Sequence, residues 1–152
     1  MCAIFTLIVF PPVYKNPISQ IYNYPPAIIK RVKSLPQYKD QIPTNQTKLA
    51  RKMAGVFIFI GLLTAVTYFS GMTTFKAGFL YSFGLWLVID WYDALILDSL
   101  LFAHMKRFRI PGTEDMVKEY KSPWFHIIGS CKGMVIGAVV CLIVGLIIHI
   151  MK

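Results

Sequence analysis

Apolar residues run along this chain in long unbroken stretches, separated by two polar, basic segments. Met53–Met72, Ala77–Met105 and Trp124–Ile150 can each supply the roughly 20 apolar residues a membrane helix needs. A soluble fold of 152 residues could not hide three such helices. The pattern predicts an all-α, polytopic membrane bundle forming a single membrane domain over residues 1–152, with three full spans and a short N-terminal hydrophobic element.

That element, residues 1–12, is apolar from Met1 to Phe10 and then meets Pro11-Pro12. It is too short for a full span, and the prolines are expected to end it at the membrane surface. No basic residue precedes the run and no small-residue cleavage site follows it, so it is not a standard signal peptide. Two readings stay open: the end of a helix whose start lies upstream, or a short element half-inserted beside the others.

The connection over residues 13–52 holds Pro17, Pro25, Pro26, Pro36 and Pro43, which exclude one long helix. Residues 26–35 place Ile28, Ile29, Val32 and Leu35 on one helical face and Lys30, Arg31 and Lys33 on the other. That predicts a basic amphipathic helix in the headgroup region, either a lipid- or partner-binding element or a plain connector. Asn45-Gln46-Thr47 matches a glycosylation sequon, discounted because the topology below puts it in the cytoplasm. In the loop over residues 106–123, Pro111-Gly112 signals a turn. Thr113 ahead of Glu114 and Asp115 suits an N-cap, with a short helix through Tyr120.

Charge sharpens the picture. The chain is 56% hydrophobic and 15% charged, against about 25% charged in a soluble domain. Its net charge of +9 sits in the loops, and no groove-reading motif is present, so nucleic acid is not an expected partner. The lipid bilayer and its anionic headgroups are. Residues 13–52 carry eight Lys/Arg and residues 106–123 carry five, whereas the link after Met72 has only Lys76 and the C-terminus only Lys152. The two rich loops are therefore expected on the cytoplasmic side of the cell membrane. Cys2, Cys131 and Cys141 lack CxxC spacing and read as packing residues.

The span at 77–105 carries Asp90, Asp93 and Asp98 within its apolar run and His104 at its end. An acid at membrane depth costs roughly 2.5–3.5 kcal/mol on insertion scales. At about 100° per residue, the three acids share a sector of roughly 140° with Trp86, Ala94, Leu97, Leu101 and His104. That sector should face other helices. Asp98 lies roughly 12 Å before Lys106, and Lys132 roughly 12 Å after Trp124, so an intramembrane ion pair between Asp98 and Lys132 is expected, unless Lys132 snorkels to the edge. No cation matches Asp90 and Asp93. Two close carboxylates cannot both ionise cheaply, which suits a proton or cation site, or a protonated acid that holds helices together. Asp98, His104 and His126, with Asp115 or Glu119 nearby, could form a divalent-metal site; no other cofactor is assigned. Gly129, Gly133, Gly137, Cys141 and Gly145 recur every four residues, a small-residue stripe for helix packing.

These features frame two functions. One is a non-enzymatic, transporter-like unit or membrane-complex subunit, with Asp90 and Asp93 handling protons or cations. Three or four helices leave little room for a private pathway, so a homo-oligomer or larger assembly is expected. The other is a metal- or lipid-dependent membrane enzyme with an Asp/His site at the cytoplasmic interface. Acidic DxxD helices do hold Mg²⁺ against pyrophosphate in prenyl and CDP-alcohol phosphotransferases. Here the CDP-alcohol motif's Gly and Arg are missing, as is a second acidic helix. No catalytic residue is assigned. Asn23–Ala27 (NYPPA), Trp91–Asp98 (WYDALILD) and Arg109–Asp115 (RIPGTED) together resemble a group of uncharacterised prokaryotic integral membrane proteins. The resemblance runs from about residue 20 onward. It implies a longer N-terminal helix than the one here and carries no activity with it.

Overall fold

The computed structural model describes residues 1–151, and among them there are helices and turns but no strand. Six α-helices follow one another: α1 (Cys2–Lys15), α2 (Pro26–Ser34), α3 (Asn45–Phe69), α4 (Phe75–Tyr92), α5 (Val117–Tyr120) and α6 (Pro123–Met151). From Asp93 to Phe102 the rod of α4 continues as a π-helix. Lys152, one of the basic residues weighed for topology, lies outside the described residues.

Two of the three expected spans, α3 and α6, are long and apolar enough to cross a membrane, with mean hydropathies of 1.8 and 2.8. The acidic rod falls short of the same measure, because Lys76 and Asp90 lower the hydropathy of α4 and α-helical bonding ends at Tyr92. Local chemistry explains the boundaries. Thr74 caps α4 by accepting from the Ala77 N–H at 3.2 Å, and Thr44 caps α3 from the Thr47 N–H at 3.3 Å. Gly71, at φ +78, makes the tight link between them. Pro11 and Pro12 do not end α1, which continues to Lys15. They free only the carbonyls of Leu7 and Ile8, and both of those residues are exposed.

The helices pack mainly through α4 against α6. Small residues set the approach: a Cβ on Gly145 would lie 3.0 Å from the Phe75 carbonyl oxygen, and Cys141 is fully buried. Leu63 from α3 and Val140, Val144 and Ile148 from α6 fill this half of the molecule. Elsewhere the helices present large apolar side chains outward, among them Phe57, Val88, Leu100, Val135 and Val139.

The two basic loops pack together as one layer at one end of the bundle. Ile18, Ile21, Ile28 and Val32 from the first loop share a core with Ile110 and Tyr120 from the second. The apolar face of α2 is therefore buried in protein: Ile28 and Val32 are both 0% exposed. That corrects the headgroup-lying helix, since the face meant for lipid covers Ile110 and Tyr120. Tyrosines pin the layer. The Tyr24 hydroxyl donates to the Phe108 carbonyl at 2.9 Å, Tyr38 to Pro111 at 3.0 Å and Tyr22 to Pro43 at 2.9 Å. Thr113 is not the expected N-cap. Its buried hydroxyl donates to the Ile110 carbonyl at 2.6 Å and lies 2.7 Å from the Tyr120 hydroxyl, while Gly112 takes the turn at φ +88.

Candidate functional site: an acidic cavity beneath the loop layer

A cavity of about 480 Å³ lies between the loop layer and the helices. Its acidic wall comes from one rod, which contributes Asp90, Asp93 and Asp98. They share a face because the α-helical turn from Asp90 to Asp93 passes into the wider i→i+5 winding that carries Asp98. The Ser99 hydroxyl follows that winding, donating to the Ala94 carbonyl at 2.6 Å. Ala94 and Leu97 are buried between the acids, as the shared sector requires. Leu101 and His104 are exposed instead, because π winding turns through fewer degrees per residue and carries them off that face.

α1 supplies the opposite wall. Phe5, Val9 and Val13 line the cavity, and their spacing of four keeps them on one helical stripe. Thr6 fixes this wall to the acidic rod, its hydroxyl 3.0 Å from the Tyr92 hydroxyl. The loop layer closes the top with Tyr24 and Tyr120, and exposed Lys52 and Asn23 stand at the rim. Burial pushes both phenols up from their ordinary range, and for Tyr24 the neighbouring Tyr120 and Asp98 add to it. Both therefore stay neutral at physiological pH, with the Tyr24 hydroxyl proton given to the Phe108 carbonyl.

Asp98 pairs with His126, not with Lys132. The His126 Nδ1 donates to the Asp98 carboxylate at 2.8 Å, with the His126 side chain 9% exposed. The inward stripe of α6 runs through His126, Ser130, Gly133 and Gly137, whereas Lys132 stands on the outer face and is exposed. Two residues beyond Ser130 is roughly 200° around the helix, which is why matched depth did not produce the pair. With Nδ1 committed to Asp98, Nε2 is the free nitrogen on a residue that lines the cavity.

Asp90 and Asp93 have no such cation. One carboxylate oxygen of each is buried without a hydrogen-bond partner. Asp90 packs on Gly133, where a Cβ would collide with its Oδ1, and the Ser130 hydroxyl donates to the Asp90 main-chain carbonyl at 3.4 Å. Four residues before Asp90 on the same rod, Trp86 packs against α6. The Trp86 ring fills the space of a Cβ on Gly137, and its Nε1–H donates to the Gly133 carbonyl at 3.2 Å. Gly129 borders the cavity, and a Cβ added there would meet nothing within 4 Å.

The three-residue metal set does not assemble. His104 is exposed, with Nδ1 3.1 Å from the Leu100 carbonyl, and His149 is exposed near the end of α6. Among the described residues, no three His, Cys, Asp or Glu side chains gather closely enough to hold a metal ion. The composition of the cavity was only half foreseeable. The acids stand out in an apolar run, but Tyr24, Tyr120, Ser130 and the α1 stripe carry no motif; the nearest signal is the four-residue spacing of Phe5, Val9 and Val13. The chain matches no protein-family model, no curated protein and no solved structure.

Proposed function

We propose that this chain is a multi-pass α-helical membrane protein whose acidic cavity takes up protons or cations from the side of the basic loops. α3, the acidic rod and α6 are the spans. The outward apolar side chains support this, because soluble proteins rarely expose contiguous apolar patches of more than a few hundred Å². By the positive-inside rule, residues 13–52 and 106–123 face the cytoplasm of a cell membrane, and lipid, including anionic headgroups, is the standing partner. The observation that carries the functional reading is the presence of Asp90 and Asp93, uncompensated by a cation, in a cavity between helices. Intramembrane carboxylates facing a bundle interior are the usual elements of proton and ion sites. The cavity lies beneath the loop layer at one end of the bundle, so passage across a membrane requires a path that opens between the helices or that a second subunit completes; a homo-oligomer or larger complex suits the latter. Liposomes containing the protein and a pH-sensitive dye test it. A cation-dependent proton flux lost in Asp90→Asn is the expected result, and identical flux in protein-free and loaded liposomes refutes it.

A second reading is favoured by one specific bond. His126, oriented by Asp98 through Nδ1, leaves Nε2 free to accept a proton, the arrangement of a general base. A membrane enzyme acting on a lipid headgroup would use that pair without a metal. Turnover of lipid extract by the purified protein, abolished in His126→Gln, distinguishes it from transport.

A further inference from the structure

Size, charge and wall chemistry together limit what this cavity holds. At about 480 Å³ it falls in the range of pockets that enclose organic ligands, about 300–1,000 Å³, and far exceeds what a bare ion fills. A dehydrated metal ion needs four to eight converging ligands, and the described residues offer no such group. Three carboxylates face only two basic side chains, Lys52 exposed at the rim and His126 already bonded to Asp98. An anionic ligand is therefore opposed. The rest of the wall is mixed: Phe5, Val9, Phe102 and Phe125 and the rings of Tyr24 and Tyr120 are apolar or aromatic, beside the uncharged polar Gln20, Asn23 and Ser130. His126, with a nine-tenths buried side chain, leaves one ring nitrogen for a donor from the ligand.

Resting on the cation reading above, we infer that the cavity binds an amphiphilic organic ammonium, a protonated amine carrying an aliphatic or aromatic body. The ammonium N–H groups donate to Asp93 and Asp90, which lack a protein cation. The aromatic rings hold the charge from the side through cation–π attraction and bury the apolar body. A protonated amine fits better than a quaternary ammonium, which has no N–H for the carboxylates.

Equilibrium dialysis of the full chain in neutral detergent micelles tests this with three probes: phenethylamine, its neutral counterpart phenethyl alcohol, and calcium ion. Saturable binding of one phenethylamine per chain is expected, with phenethyl alcohol and Asp93→Asn each weaker by roughly tenfold or more, the loss of one charge-assisted hydrogen bond. Asp93→Glu, which keeps the charge, and Phe102→Ala, which trims the wall, guard against a folding defect. The first should retain most binding, and the second should weaken the amine and the alcohol alike, since both carry the same aromatic body. Equal binding of amine and alcohol overturns the inference, as does binding of calcium without amine. In the calcium case, carboxylate-dependent proton flux in liposomes would leave the cation reading intact. Loss of both amine binding and that flux removes both.

Discussion

Gly137→Ala tests a close packing contact between α4 and α6. A Cβ at this position would fall inside the Trp86 ring, against Nε1, Cδ1 and Cε2. The methyl cannot move, because it is fixed to the helix backbone, so the indole must leave. Trp86 then gives up its hydrogen bond to the Gly133 carbonyl, 3.2 Å long, worth about 0.5–1.5 kcal/mol. It also loses its edge-to-face contact with Phe59 at 5.5 Å, worth about 0.5–1.5 kcal/mol. Overpacking in a closely fitted interface itself costs about 1–3 kcal/mol. Part of this is recovered as the ring finds new contacts, which leaves a net loss of about 2–4 kcal/mol. Gly61→Ala is the control, since nothing lies within 4 Å of a Cβ there and alanine gains up to about 1 kcal/mol of helix propensity. Unfolding of both variants in mixed micelles with rising denaturing detergent measures the difference. The double variant Gly137→Ala/Trp86→Leu should recover part of the loss, because the two side chains occupy one space. Equal stability of Gly137→Ala and Gly61→Ala would refute the packing argument.

Three further outcomes follow from the same geometry. Asp98→Asn and His126→Gln should each destabilise by about 1.5–3 kcal/mol, and the double variant by little more than either alone; additive losses in that cycle would show that the 2.8 Å bond contributes nothing. Tyr120→Phe removes the acceptor of the buried Ile110 N–H, 3.0 Å away, and should cost about 1–3 kcal/mol, read as faster proteolysis of residues 106–123; unchanged cleavage would contradict it. Tyr24 has a phenol pushed up by burial, so its contribution is fully present below about pH 10 and is lost as pH rises through its raised folded value. Tyr24→Phe should therefore flatten the alkaline fall in stability, and an unaltered fall would count against the buried phenol.

The parts of this structure that were legible in the sequence are those set by periodicity and cost. Long apolar runs identify α3 and α6, and the expense of buried charge marks Asp90, Asp93 and Asp98 for a shared face. What could not be read depended on winding and on contacts between distant segments. Depth alone would pair Asp98 with Lys132, but roughly 200° of helix rotation turns Lys132 away from Ser130. His104 was lost from the acidic sector because the helix unwinds into π geometry after Tyr92, a change that no residue between Asp93 and Phe102 announces. The sequence of α2 is amphipathic, but a face made for lipid and a face made for Ile110 and Tyr120 have the same pattern. The wall from α1 needed Pro11 and Pro12 to be tolerated within a helix, against their usual effect.

The central claim is that Asp90 and Asp93 line a site that small molecules reach from the loop side. Carbodiimide modification of the protein in sealed, oriented membrane vesicles measures this directly, with the modified residue located by peptide mass analysis. Asp90 or Asp93 should be labelled by a membrane-permeant carbodiimide. A water-soluble one should label them only when the loop face is exposed, and phenethylamine should protect them. Labelling confined to the exposed acids Asp40, Glu114 and Asp115 would contradict it.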